Sequence, residues 1–325
     1  MRIFAPGTQR DFAEKVAASL GVPLDPLEER SFEDGEHKIR PLVNVRNRDV
    51  YVIQSLYADT DQSVNDKLCK LLFFIATLKD AGADRVTAIT PYLCYTRKDR
   101  RTKARDPVTI RYMASLFEAV NLDRIVTIDV HNLQAFQNAF RIPAEHLEAE
   151  ILFARYFNEA LKDSKSIVVM SPDIGGVKRA QQFQQRLTRV MSADIGFAFM
   201  EKQRSQDVLS GEMVIGDVKG KTVIIVDDLI SSGSTLARAA SACERMGASR
   251  TFAVVTHGMF SGNADAILSA TALHRIVVTN TIPPFRLEGG ASREKLEIVD
   301  VAPLFADVIN RLHSGGSIVE LMDRV

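Results

Sequence analysis

Residues 222–226, Thr-Val-Ile-Ile-Val, form an apolar, β-branched run of strand length, and two carboxylates, Asp227 and Asp228, stand at its end. A Ser/Gly loop follows. From Thr235 the spacing turns helical, with Leu236, Ala239, Ala240, Cys243 and Met246 on one face and Gly247 as a stop. Backbone N–H groups around Gly233 and the helix start point their dipoles at an anion, and a missing Cβ lets it approach. Asp227 and Asp228 are placed to accept hydrogen bonds from vicinal ribose hydroxyls. A buried strand running into an ordinary turn is the duller reading. It is disfavoured because adjacent carboxylates ending an apolar strand are costly unless something binds them.

The rest of the chain alternates in the same way. Strands are expected at 3–5, 50–53, 86–89 and 125–128, with helices after the first three (Phe12, Val16 and Leu20; Val64 to Ile75; Ile110 to Val120). Thr8 is the expected N-cap of the first helix. Ser31 to Glu36, acid-rich beside Phe32, reads as a hairpin tip. The strand at 86–89 opens into a block in which six of the nine residues from Arg97 to Arg105 are basic. Open α/β sheets bind ligands at this edge, so the block is a local anion trap. A solvated loop and a nucleic-acid patch compete with that reading, but no aromatic stacking platform accompanies the block. A polyphosphate suits forked Arg donors and mobile Lys charges better. His131, just after the next strand, is a candidate metal or phosphate ligand.

A domain boundary is expected near 145–155. Beyond it a helix over 152–157 and a strand over 166–170 deliver Ser171-Pro-Asp-Ile-Gly-Gly-Val-Lys-Arg-Ala180. There Gly175 and Gly176 allow backbone contact with a diphosphate, and Asp173 can orient a metal or its water. A strand at 197–200 leads to Lys202 and Arg204, whose i, i+2 spacing in extended chain puts both cations on one side. Strands are also expected at 213–215, 252–256, 276–279 and 298–301, and an amphipathic helix from Pro303. The run Gly216 to Thr222 imitates a P-loop, but its spacing is one residue short and it precedes its strand.

Lys plus Arg and Asp plus Glu both number 41, so no global field draws the chain to nucleic acid or membrane. The three cysteines are scattered, which points to free thiols in a reducing compartment. No signal peptide or membrane-spanning run is read, and a cytoplasmic protein is expected.

Five segments, in order and spacing, resemble the ribose-phosphate diphosphokinases (PRPP synthetases) of class I: Phe32 to Glu36, Tyr95 to Arg100, Asp129 to His131, Ser171 to Ala180, and Val226 to Thr235. The resemblance runs along nearly the whole chain. It implies an α/β fold of two similar phosphoribosyltransferase-type domains, each a mainly parallel sheet flanked by helices. Residues 1–148, completed by 303–325, would form the ATP side, and 149–302 the ribose 5-phosphate side. Phe32, Asp34 and Glu36 would hold adenine, reaching into a neighbouring subunit of a homo-oligomer, and Arg97, Lys98 and Asp99 would line the ATP site. His131 and Asp173 would sit at Mg²⁺, Asp173, Gly175 and Gly176 in a diphosphate loop, and Lys202 and Arg204 would be catalytic. Asp227 and Asp228 would bind the ribose hydroxyls, and Ser232, Gly233, Ser234 and Thr235 the 5-phosphate. ATP and ribose 5-phosphate are the implied substrates, with no nucleic acid and no membrane.

The chain departs from the family pattern in places. Ser231 stands where an acid is usual, Ser234 where Gly is usual, and Ser317-Ile318-Val319 replaces a Ser-Val-Ser linked to regulation by phosphate and ADP. The run after His131 is also one residue longer. Altered or absent phosphate regulation is therefore expected. A phosphoribosyltransferase would share the loop at 226–235 but would not need the first half. A non-catalytic homologue that regulates true synthetases is the other alternative.

Overall fold

Strand-forming and helix-forming stretches alternate through the chain, and the backbone follows them. The structure is a computed structural model that describes residues 1–7, 10–164, 166–205, 208–287 and 289–322, the side chains of 202–212 excepted. It divides into two compact units, Met1–Glu148 with Val301–Arg324, and Ala149–Asp300.

In the first unit β1 (Arg2–Phe4) leads to α1 (Asp11–Leu20), which Gly21 closes in the left-handed region at φ 69°. The expected cap Thr8 lies outside the described residues; Arg10 precedes the helix without a side-chain cap bond. An antiparallel hairpin of β2 (Leu27–Ser31) and β3 (His37–Pro41) follows, then β4 (Asp49–Ile53) and α2 (Val64–Asp80), opened by a Ser63–Asp66 capping box. The unit continues through β5 (Arg85–Ile89), α3 (Thr109–Ala119), β6 (Arg124–Ile128), α4 (Leu133–Ala139) and β7 (Ala144–Leu147). Its sheet runs β1-β4-β5-β6-β7, all parallel. Neither α4 nor β7 is expected from sequence. The Asn132 side chain caps α4 by accepting from the Ala135 N–H at 3.1 Å, and four residues of mixed polarity become a strand only by pairing with β6.

The second unit contains α5 (Glu150–Ala160), β8 (Ile167–Ser171), α6 (Val177–Met191), β9 (Gly196–Ser205), β10 (Val208–Ile215), β11 (Thr222–Ile230) and α7 (Ser234–Arg245). It ends with β12 (Arg250–Gly258), α8 (Ala264–Ser269), β13 (Arg275–Thr279), α9 (Ala291–Glu294) and β14 (Leu296–Val299). The sheet order is β10-β9-β8-β11-β12-β13-β14, parallel except for the β9–β10 hairpin at one edge. Its core sets Leu236, Ala239, Ala240 and Cys243 of α7 with Val168, Met170, Val223, Ile225, Ala253 and Val255 of the strands. This is an α/β fold with mainly parallel sheets flanked by helices.

Some boundaries differ from the sequence expectation. The central strand does not stop at Val226: β11 stays paired with β12 to Ile230, while its pairing with β8 ends at Ile225 opposite Met170. Asp227 and Asp228 are therefore strand residues beyond the end of one neighbour. Met246 is not a core residue; α7 ends at Arg245, Gly247 turns the chain at φ 80°, and Met246 is left 41% exposed. The last strand begins at Leu296 rather than 298, since register with β13 fixes it.

The chain then returns to the first unit as α10 (Ala302–Ser314) and α11 (Ile318–Met322). Phe305 of α10 meets Phe12 of α1 edge-on at 5.5 Å. His313 Nδ1 lies 2.8 Å from Asp49 Oδ2, and Asp49 also takes two hydrogen bonds from Arg85 at 2.9 and 2.6 Å. All three cysteines are free thiols, and burial pushes Cys94 and Cys243 up to about 12. Among the described residues, no helix is long and apolar enough to cross a membrane.

Candidate active site

In the second unit the acid pair meets a cation that the sequence reading did not single out. Arg179, in the first turn of α6, places Nη1 2.9 Å from Asp228 Oδ1 and 3.7 Å from Asp227 Oδ1. Asp227 Oδ1 also accepts from the Asp228 N–H at 2.9 Å. Burial pushes the Asp227 carboxyl well above the ordinary carboxylate range, and the Asp228 charge adds to that push; Arg179 pulls the other way. A group that brings hydroxyl donors or positive charge to this pair would relieve the repulsion.

Five residues beyond Asp228 the loop turns into α7. Gly233 is the N-cap, at φ 76°, and a Cβ there would stand 2.9 Å from Leu268 Cδ2, so both conformation and space demand glycine. The Ala237 N–H is bonded to the Gly233 carbonyl at 2.9 Å. The N–H groups of the preceding helical positions have no acceptor within the helix, as at any helix start. Ser232 and Ser234 hydroxyls lie 3.0 Å apart beside them, and Ser234 is exposed.

This loop is fastened from behind by the segment after β12. The Ile230 carbonyl accepts from the N–H groups of Met259 at 2.9 Å and Phe260 at 3.2 Å, and the Ser231 carbonyl from the Ser261 N–H at 2.9 Å. Ser231 and Ser261 hydroxyls share a fourth hydrogen bond at 2.8 Å. Ser231 therefore has a neutral structural partner. Nothing in the sequence signals it, since Ser261 lies 30 residues away.

After β8, Asp173 Oδ1 accepts from the Gly176 N–H at 3.0 Å, and the Asp173 carbonyl from the Ser171 hydroxyl at 2.6 Å. A Cβ on Gly176 would come within 2.8 Å of Ser171 Oγ. Asp173 is exposed, and its second oxygen has no hydrogen bond among the described residues. A hard, exposed carboxylate oxygen of this kind suits Mg²⁺, directly or through its water. Among the described residues no three His, Cys, Asp or Glu side chains form a metal cluster. Lys202 and Arg204 belong to β9 by backbone pairing, but their side chains lie outside the described residues.

In the first unit, Phe32, Asp34 and Glu36 occupy the tip of the β2–β3 hairpin. Phe32 is 41% exposed under the Arg30 guanidinium, and Asp34 Oδ1 accepts from the Glu36 N–H at 3.1 Å. The basic block leaves the C-terminal end of β5. Asp99 Oδ2 accepts from Asn132 Nδ2 at 2.6 Å, tying the block to the turn after β6 that carries the exposed His131. Lys98 Nζ is 2.6 Å from Asp106 Oδ2, a partner the sequence reading missed although Asp106 is the next acid after Asp99.

A model of the N-terminal domain of ribose phosphate pyrophosphokinase matches residues 1–120, and a model of the phosphoribosyl synthetase-associated domain matches 208–323. A ribose-phosphate pyrophosphokinase of Clostridium perfringens is 37% identical over 315 residues, 96% of this chain and 94% of its own. The chain belongs to the ribose-phosphate pyrophosphokinase family. Ribose-phosphate pyrophosphokinase A of Dictyostelium discoideum is 35% identical over 99% of this chain and 97% of its own. The crystal structure of phosphoribosylpyrophosphate synthetase from Mycobacterium smegmatis aligns with a TM-score of 0.88 at 33% identity. The alignment covers 97% of this chain and 99% of that one. The likeness to ribose-phosphate pyrophosphokinases therefore includes both units, and the basic block as well as the Ser/Gly loop.

Proposed function

We propose that this protein is a ribose-phosphate diphosphokinase of the cytoplasm, working as a homo-oligomer. It transfers the β,γ-diphosphoryl group of ATP to the anomeric hydroxyl of ribose 5-phosphate. The observation that supports this best is likeness to named pyrophosphokinases over the full length. A phosphoribosyltransferase would need the loop of the second unit but not the cationic block of the first.

The anomeric oxygen attacks the β-phosphorus in line; the new O–P bond forms as the bridging P–O bond to the α-phosphate breaks. The hydroxyl proton passes to solvent water, and AMP leaves with the bond's electron pair. Such a transfer depends on positioning and charge neutralisation more than on covalent catalysis. Asp227 and Asp228 accept from the ribose hydroxyls, and the helix start from Gly233 to Thr235, with Ser232, holds the 5-phosphate. Gly175 and Gly176 admit the diphosphate to backbone contact. Phe32, Asp34 and Glu36 hold adenine, and Arg97, Lys98 and Asp99 lie along the nucleotide. Mg²⁺, where bound with ATP, draws charge from the phosphate oxygens; His131 and Asp173 are the residues that would hold it. Lys202 and Arg204 neutralise charge developing on the transferred group.

The test is AMP release from ATP, Mg²⁺ and ribose 5-phosphate, run beside Lys202→Ala. The variant should be slower by on the order of 10²–10³-fold, about 3–4 kcal/mol of barrier. No AMP from the intact protein would reject the synthetase and favour a regulatory homologue, a reading for which Ser231 in place of an acid speaks. Initial rates with and without inorganic phosphate test the departure at Ser317-Ile318-Val319; an unchanged phosphate requirement would count against altered regulation.

A further inference from the structure

Six cations crowd the segment from Arg97 to Arg105, yet the structure treats one of them differently. Arg97, Arg100, Arg101, Lys103 and Arg105 are exposed and make no ion pair among the described residues. Lys98 is drawn in. Its ammonium meets Asp106 Oδ2 at 2.6 Å, and the same oxygen accepts from Thr102 Oγ1 at 2.8 Å, the Lys103 N–H at 3.0 Å and the Thr102 N–H at 3.1 Å. Two successive backbone N–H groups, a hydroxyl and an ammonium converging on one anion form an anion nest, here filled by the chain's own carboxylate. Pro107 restricts Asp106 to extended backbone, which fixes where the carboxylate is presented. Thr109 Oγ1 adds a tie from the start of α3 to the Tyr95 carbonyl at 3.2 Å.

The charge balance of this loop favours one use of Lys98. If Lys98 left to meet a polyphosphate, Asp106 would remain ionised beside that polyphosphate with only neutral donors, and like charges would repel. Kept together, the pair is neutral and the loop keeps its shape. We propose that Asp106 is a positioning residue for the nucleotide: with Lys98 as its partner it closes the loop over 98–106, so that the five free cations, and not Lys98, face the polyphosphate. This rests on the reading of the block as the ATP site, and it reassigns Lys98 within that site.

Asp106→Asn, Lys98→Gln and the double variant separate the two uses of Lys98, with KM for each substrate and direct ATP binding by calorimetry as readouts. Both single variants should weaken ATP by about 5–10-fold, KM for ribose 5-phosphate should stay within about twofold, and the double variant should be no worse than the weaker single one. Asp106→Glu, which keeps the charge, should recover most of the loss, and unchanged thermal midpoints would exclude misfolding. Tighter ATP binding by Asp106→Asn would overturn the inference, because a freed Lys98 would then be a direct ligand. Wild-type affinity in Asp106→Asn would overturn it too. If the wild-type protein itself binds no ATP, the reading of the block falls and takes this inference with it.

Discussion

The two loops proposed to hold anions are built on opposite principles. The basic block of the first unit uses side-chain charge, six cations on one stretch, with its backbone closed by Asp106. The Ser/Gly loop of the second unit has no cation between Ser231 and Thr235 and offers backbone N–H groups at a helix start, clamped by Ser261, for the proposed 5-phosphate. Charge on long side chains acts over several ångströms and is screened by salt; backbone donors act at contact distance and depend on conformation. The first loop should therefore respond to ionic strength and tolerate small geometric changes, and the second should do the reverse.

The contrast breaks most visibly at Gly233. Gly233→Val would force a side chain into a left-handed position against Leu268, and ribose 5-phosphate-dependent turnover should fall on the order of 10²-fold or more. A variant within fivefold of wild type would show that this loop does not need its backbone shape. Next comes Arg97→Ala, for which KM for ATP should rise about 10-fold at low salt, and less at 0.5 M salt, with KM for ribose 5-phosphate little changed. A salt-independent effect would mean that Arg97 acts by packing. Ser231→Ala removes one hydroxyl bond to Ser261 and should raise KM for ribose 5-phosphate by about three- to tenfold, matching about 1 kcal/mol. Ser231→Thr, which keeps the hydroxyl, should lie closer to wild type.

The smallest effect concerns stability. The raised Asp227 carboxyl means that the folded state favours its protonated form. That contribution is full below the unfolded aspartate pKa, about 4, and is lost as pH rises through the raised folded value. Asp227→Asn should therefore have the higher thermal midpoint at pH 7–8 and approach wild type near pH 4, measured without ligands. A midpoint below wild type at neutral pH would contradict the assigned repulsion.

Much of the fold is legible because strands such as 222–226 and 86–89 are β-branched and buried, and because helix faces repeat every three to four residues. What escapes the sequence depends on pairing at a distance. β7 exists through β6, and β11 outlasts Val226 because β12 continues beside it. In the candidate site, single-residue chemistry was readable: the acid pair, the glycines and the cationic block. Partners were not. Arg179 reaches Asp228 across 49 residues, and Ser261 reaches Ser231 across 30. Lys98 and Asp106 are only eight apart, but their meeting depends on a turn that no periodicity announces.

The return of α10 to the first unit has a consequence for biosynthesis. On the ribosome, residues 1–148 emerge before the second unit, yet Phe305 and His313, which close against Phe12 and Asp49, are made after it. The second unit is contiguous and can complete itself while the first waits with an uncovered face. A nascent chain released before Ala302 should therefore hold one finished unit and one exposed to chaperones and proteases, the later-made half maturing ahead of the earlier.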